Sequence, residues 1–421
     1  MQNLSIGVNV VGGGKWAYPL YIFVGLWYYG GTVSIEVVNM QKLNKQQLKT
    51  NINQAAQYDF DNQKVFGSAY CVMQNGEVVY EKCYGNTSLH SQEPVTSKTI
   101  FRLASMTKPI TAVAALILVD RGLLSLSDKV ADYLPEFKDI HITELTKEGQ
   151  LIDLGQAKND ITILHLLTHS SGIGSIAMSK SARMTDADKE SVESTVRFFA
   201  KIGLDYEPGT AQYYSGIAAF DVLVKIIAQI TKTDYLTFLQ QEIFDPCDMV
   251  DTTFIPTREQ WDRIISMHNR VDGKCVEAEM RKNCVHRDYP CTHYLGGGGL
   301  ISTLSDYAKF ATMLLNNGKT PKKQILSEET FRLLHTGYVP QRTNVNVHWG
   351  LGVRVVTGEG YERLPVGAYG WSGAYGSHFW IDPANQVAAI FMKNSQVDGG
   401  SRNESGRNFE IAVSNSFDRA E

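Results

Sequence analysis

The sequence predicts an α/β fold of the α+β kind: one antiparallel sheet flanked by helices, with a mainly helical inserted subdomain. Three observations lead there. Strand-like stretches lie near both ends: Ala69–Met73 and Val78–Tyr80 early, then Gly352–Thr357, His378–Ile381 and Val387–Met392 late. Apolar residues at helical spacing dominate the middle. The length of 421 residues exceeds one typical core, so two closely packed subdomains or one large domain are expected.

The elements follow in order. From Trp16 to Ile35 there is no charge, and Leu20–Trp27 is apolar. A membrane helix needs about this length, yet Gly, Pro and four tyrosines dilute the stretch and no small-residue cleavage site follows it. Residues 1–39 are therefore expected to be an extension without catalytic role, non-native or disordered, with the natural start at Met40. A membrane partner is expected only if residues 16–38 act as an anchor. A single domain is expected over 40–421. Leu43, Leu48, Ile52 and Ala55 begin an amphipathic helix. Ser68 to Tyr84 reads as a hairpin turning at Asn75-Gly76. A helix entered at Ser105 carries Ile110, Val113, Ala114, Ile117 and Leu118 and stops at Gly122.

The helical insertion is expected over about 123–330, with the sheet drawn from about 60–95 and 345–395. Within the insertion, 164–168, 191–202 and 218–230 carry periodic apolar faces, whereas 258–294 is polar and irregular. Gly296 to Gly299 form a tight loop before a helix over Ser305–Leu315, capped by Ser305 with Asp306 in its first turn. After the late strands, a last helix near Phe409–Phe417 is expected to pack on the sheet.

A net charge of −4 gives no footing for nucleic acid or an anionic membrane. The six cysteines form no C-x-x-C pair. Cys275, Cys284 and Cys291 share a stretch with His286 and His293, but the spacing fits no zinc pattern, so free thiols and no metal are expected. Unpatterned cysteines point to a reducing, cytoplasmic setting.

Chemistry enters with Ser105-Met106-Thr107-Lys108, the one S-x-x-K in the chain. Residues three apart share a helix face, so the amine can reach the hydroxyl and take its proton. A helix N-terminus also favours developing negative charge. Taken alone, the tetrapeptide is better read as a helix cap followed by a solvated lysine. A second proton carrier is expected near the pair. The candidate is Tyr214, on a loop opened by Pro208-Gly209. Tyr213 is its rival, and an aromatic anchor is the alternative. Acyl transfer further needs two N–H donors for an oxyanion. The Ser105 N–H would be one, and the strand edge at Trp371-Ser372-Gly373-Ala374 would supply the other. Gly370–Ala374 is close to G-x-S-x-G but ends in Ala and sits in a strand, which discounts Ser372 as nucleophile. His165 and His169, four apart, suggest a metal pair or a structural stretch.

Several ordered segments resemble the serine β-lactamase-related family, which includes class C β-lactamases, D-Ala-D-Ala carboxypeptidases and family VIII carboxylesterases. Phe101 to Pro135 is similar to the segment around its nucleophile. Ile163 to Gly172 resembles "LLTHTSG", and Pro208–Thr210 with Tyr214-Ser215 resembles "PGT…YSN". Gly297–Leu315, Trp349–Gly352 and Gly370–Pro383 match later landmarks, so the resemblance covers roughly residues 50–418. It implies a β-lactamase/penicillin-binding-protein-like fold and no cofactor. Ser105 would be the nucleophile, Lys108 the general base and Tyr214 the proton relay. The oxyanion donors would be the N–H groups of Ser105 and Ala374, and His165 and His169 would be structural.

Two departures give the resemblance its direction. Gly216 replaces the asparagine of Tyr-Ser-Asn, removing a polar contact to substrate or to Lys108. Trp371-Ser372-Gly373 stands where β-lactamases and peptidases carry a cation, and the esterase branch shows a Trp there. These residues are the expected substrate contacts, with Arg354, Arg363 or Lys393 as other sources of charge. The expected function is a serine hydrolase acting through an acyl-enzyme on small-molecule esters or amides, esters favoured. A β-lactamase or D-amino-acid peptidase is the alternative within the enzyme class. A non-catalytic penicillin- or ligand-binding sensor is the alternative outside it. Oligomeric state is left open.

Overall fold

The computed structural model describes residues 23–29, 32–38, 40–174, 178–279, 294–358, 361, 363–400 and 403–418. Its main sheet has eight antiparallel strands: β1 (Gly67–Gln74), β2 (Glu77–Gly85), β3 (Val339–Gln341), β4 (Asn344–Trp349), β5 (Arg354–Val356), β6 (Tyr369–Ser372), β7 (His378–Asp382) and β8 (Val387–Met392). Their spatial order is β3-β4-β5-β6-β7-β8-β1-β2, so the early hairpin completes a sheet begun by the C-terminal strands. Asn75 and Gly76, both at positive φ, close the β1–β2 turn.

Both faces of the sheet are covered, which is why a strand such as Val387–Met392 is apolar without alternation. Ala69, Cys71, Phe379, Ile381, Ala388 and Ile390 face a core shared with α2 (Thr107–Asp120). Tyr70, Val72, Trp380, Ala389 and Phe391 face α1 (Lys45–Asp61) and the C-terminal helix Glu404–Ser414. Asn44 caps α1 by accepting the Gln47 N–H, and Leu48, Ile52 and Ala56 form its buried stripe. Helix α2 is buried on every side from Thr107 to Leu118, as befits a helix in the middle of the molecule. The mostly helical part contains α3 (Ile163–Leu167), α4 (Val192–Ile202), α5 (Ala218–Thr231) and α6 (Leu304–Leu315).

Several expectations change. Ser105 precedes the α-helix: a 3-10 turn, Ala104–Met106, leads into α2. Helix α6 is capped by Thr303, not Ser305, because Thr303 has the extended backbone a cap requires and accepts the Asp306 N–H. The stretch 258–294 holds a short helix, Arg258–Asp262, and a hairpin, His268–Val271 with Lys274–Glu277. The middle also contains a hairpin of His141–Leu145 with Leu151–Gln156. Ile100–Arg102 pairs with Ile301–Thr303, fastening the segment before Ser105 to the segment after the glycine loop. In the N-terminal stretch, Phe23–Tyr29 pairs antiparallel with Thr32–Val38. Among the described residues no helix is long and apolar enough to cross a membrane, and no group of three His, Cys, Asp or Glu is placed to hold a metal. Cys284, His286, Cys291 and His293 lie outside the described residues.

Candidate active site

Ser105 sits in the 3-10 turn directly ahead of α2, where N–H groups have no intrahelical acceptor. The residue before it, Ala104, is held at φ +46°, a left-handed conformation that costs a non-glycine residue about 1–2 kcal/mol. The side chain of Ser105 is partly exposed. Lys108, three residues on, is fully buried. Its Nζ lies 3.4 Å from Ser105 Oγ and donates to the carbonyls of Gly216 at 2.6 Å and Gly297 at 2.5 Å. The two carbonyls hold the amine through two of its hydrogens and leave its third position facing the serine, where the neutral amine carries its lone pair. Its Nζ also stands 5.1 Å from the ring centroids of Tyr214 and Phe220.

Tyr214 and not Tyr213 reaches the serine. Its hydroxyl donates to Ser105 Oγ at 2.7 Å, whereas Tyr213 turns toward Tyr206 and packs under the Arg342 guanidinium at 3.9 Å. Trp371, at the end of β6, is buried and points its Nε1 at the Tyr214 hydroxyl, 3.4 Å away. Trp349 completes an aromatic wall: its ring is 4.6 Å from Trp371 and is stacked 5.8 Å from Tyr214.

Of the two glycines expected at the site, Gly373 makes a close approach and Gly216 does not, and Gly297 of the glycine loop makes another. A Cβ on Gly297 would stand 2.8 Å from the Gly216 oxygen and 3.0 Å from Lys108 Nζ, so any side chain there would displace the amine. A Cβ on Gly373 would meet the Leu103 oxygen at 2.3 Å. The end of β6 thus lies flat against the residues that precede Ser105, and Ala374 follows in an exposed turn.

The Ser372 hydroxyl points away from Ser105. Strand neighbours point to opposite faces, so with Trp371 facing the serine, Ser372 faces away. Its hydroxyl is buried and pairs with His378 Nδ1 at 2.8 Å, whose Nε2 meets Glu410 at 3.0 Å. The expected substrate contact is therefore not made by that hydroxyl. The proposed extra cations are committed elsewhere too. Arg354 and Arg363 both bind Glu410, and Lys393 is buried against Asp398 at 2.6 Å. His165 and His169 do not form a metal pair. His165 Nδ1 accepts the Thr162 N–H as part of a capping box, and His169 lies beyond the end of α3.

Two buried groups stand near Lys108: Asp221, for which there was no expectation, and His169, which was expected to be structural. Asp221, on α5, accepts the Gly296 N–H at 2.8 Å and so anchors the peptide next to the carbonyl that holds Lys108. Burial pushes its carboxyl up to about 8, against the pull of the Gly296 N–H and Lys108. His169 packs beneath Tyr214, with ring centroids 4.6 Å apart. Burial, reinforced by the positive Lys108, holds its imidazole well below the usual range and keeps it neutral. Only a helical aspartate on an otherwise apolar face hinted at the first.

Beside the site, a cavity of about 380 Å³ is lined by His165, Thr168, Gln212, Tyr338, Pro340 and Arg342 among others. It lies behind the Gln212–Tyr214 loop and does not include Ser105 in its lining.

Comparison with known proteins agrees with this architecture. A family model described as Beta-lactamase matches residues 47–412. An uncharacterized protein of Mycobacterium tuberculosis is 28% identical over 348 residues, covering 77% of this chain and 85% of that protein. Esterase EstB of Burkholderia gladioli is 25% identical over 365 residues, covering 80% of this chain and 88% of the esterase. Among solved structures, EstCE1, described as a hydrolase with promiscuous acyltransferase activity, superposes with a TM-score of 0.75 at 21% identity. That match covers 88% of this chain and 99% of EstCE1.

Proposed function

The chain belongs to the β-lactamase family of serine hydrolases, and on that premise we propose that it is a carboxylesterase working through a Ser105 acyl-enzyme. Ser105 Oγ attacks the ester carbonyl while Lys108 accepts its proton. The N–H groups of Ser105 and Ala374 receive the oxyanion. Tyr214 donates a proton to the departing alcohol and regains one from Lys108, and water then hydrolyses the acyl-enzyme, returning a proton to Ser105 as the acid leaves. No metal or organic cofactor has a part in these steps. The observation that carries the reading is the bracketing of one hydroxyl by two proton carriers, Tyr214 at 2.7 Å and Lys108 at 3.4 Å.

The ester preference rests on Trp371. An indole offers one N–H and apolar surface, and no charge. A β-lactam or peptide carboxylate placed against it forgoes a charge-assisted hydrogen bond worth about 1.5–3 kcal/mol. A neutral ester loses nothing. The second reading, hydrolysis of a carboxylate-bearing lactam or peptide, is favoured by Arg342, an exposed cation at the rim of the neighbouring cavity.

Steady-state kinetics with p-nitrophenyl butyrate and nitrocefin separate the two. The ester is expected to show a kcat/KM about tenfold or more above that of nitrocefin, the factor that 1.4 kcal/mol represents. The reverse order, lost in Arg342→Ala, would establish the second reading.

A further inference from the structure

A tyrosine carried on a loop delivers a proton reproducibly only if something holds the loop. Here the holding contacts converge on one residue. His169 leaves α3 in a left-handed backbone conformation, φ +57°. Its carbonyl accepts the Tyr213 N–H at 3.2 Å, and its Nδ1 accepts the Ser215 N–H at 3.2 Å. Tyr214 is therefore tied down through the residue before it and the residue after it, and its own ring rests on the imidazole. The imidazole in turn is wedged between Trp349, at 4.4 Å, and Phe220, at 5.6 Å.

Because Nδ1 accepts, the single proton of the neutral ring belongs on Nε2. That nitrogen is buried and has no hydrogen-bond partner among the described residues. A buried polar atom without a partner weakens a fold, and an apolar ring would fill the same space without that cost. The feature only an imidazole supplies here is the acceptor at Nδ1.

We propose that His169 is a positioning residue for proton delivery: by clamping the Tyr213–Ser215 segment it sets the 2.7 Å approach of the Tyr214 hydroxyl to Ser105 Oγ. The proposal rests on the reading of Tyr214 as the donor to the departing alcohol. A protonated imidazole has no acceptor at Nδ1, so the clamp requires the neutral ring that burial maintains.

The test uses leaving groups. A proton donor matters little when the alcohol is as acidic as p-nitrophenol and much when it is ethanol. Values of kcat/KM, which report acylation, are measured on p-nitrophenyl butyrate and ethyl butyrate for wild type, His169→Leu, His169→Asn and Tyr214→Phe, with thermal unfolding recorded for each. His169→Leu is expected to lose about 100-fold on the ethyl ester and less than about fivefold on the nitrophenyl ester. His169→Asn, whose side-chain oxygen can take the place of Nδ1, is expected to recover at least about tenfold of that loss. If His169→Leu does not fold, His169→Asn carries the test through its own, smaller selective loss. Equal losses on both esters in the His169 variants, with a selective loss in Tyr214→Phe, overturn the role of His169 alone. Equal losses in Tyr214→Phe overturn the reading of Tyr214, and this proposal with it.

Discussion

Lys108→Met is expected to lower kcat/KM for esters by about 100- to 10,000-fold, the range attributed to a positioned general base. Methionine keeps most of the lysine stem, so the space around Ser105 is preserved while the nitrogen is lost. The same change strands the carbonyls of Gly216 and Gly297, which now receive hydrogen bonds at 2.6 and 2.5 Å. An unpaired buried polar group costs about 1–3 kcal/mol, so a fall in unfolding temperature should accompany the loss of rate. Steady-state hydrolysis of p-nitrophenyl butyrate, alongside thermal unfolding of the same preparation, checks both. A loss below about tenfold would remove Lys108 from the proton path.

The largest expected effect on stability lies behind the site. Glu410 is buried and binds Arg354, Arg363 and His378 at once. Glu410→Leu leaves the buried Arg354 cation without its carboxylate, which should cost about 3–5 kcal/mol in denaturant unfolding. Burial would raise the carboxyl, but Arg354, His378 and Arg363 outweigh it and hold the group well below the usual range. The sign of the pH effect follows. With the folded carboxyl the stronger acid, the unfolded chain binds more protons below about pH 4.3, so stability falls as pH drops through that range. That acid-side fall should be smaller in Glu410→Leu than in wild type, as read from unfolding curves between pH 3 and 6. An unchanged difference across that range would mean that the cluster does not govern acid stability.

The pairing of Ser105 with Lys108 was legible because its geometry is local. Ser105 and Lys108 are three positions apart, and any helical or 3-10 turn brings them to one side. Tyr214 was legible as one of two loop tyrosines, and only the structure separates it from Tyr213. Periodicity found β1, β2, β5, β7 and β8, and α4 and α5, to within a few residues, since burial on known faces dictates their apolar pattern, whereas the short, partly exposed β3 and most of β4 carry no such pattern and were not read. The direction of the Ser372 hydroxyl had a signal in the sequence: adjacent residues of a strand face opposite sides, so Ser372 and Trp371 do not both face Ser105. The hairpin at 268–277 also had a signal, Asp272-Gly273, both at positive φ in the structure. Thr303 and Ser305 are both good caps, so composition alone could not choose between them.

His169, Asp221 and Trp349 were a different matter. Each acts through a residue tens of positions away, Ser215, Gly296 and Trp371 respectively, and no local spacing encodes such contacts. The expectation that Arg354, Arg363 or Lys393 might serve the substrate failed for the same reason. Their carboxylate partners, Glu410 and Asp398, become neighbours only when the C-terminal helix packs on the sheet or its approach loop folds back.

The central claim is that acyl transfer passes through a covalent bond to Ser105. Mass spectrometry of the protein quenched during turnover of p-nitrophenyl butyrate, and after treatment with a fluorophosphonate probe, tests it directly. The account predicts one added acyl or phosphonyl group, located by peptide mapping to Ser105, with neither adduct nor turnover in Ser105→Ala. Modification of another serine, or ester turnover by Ser105→Ala at the wild-type rate, would contradict it.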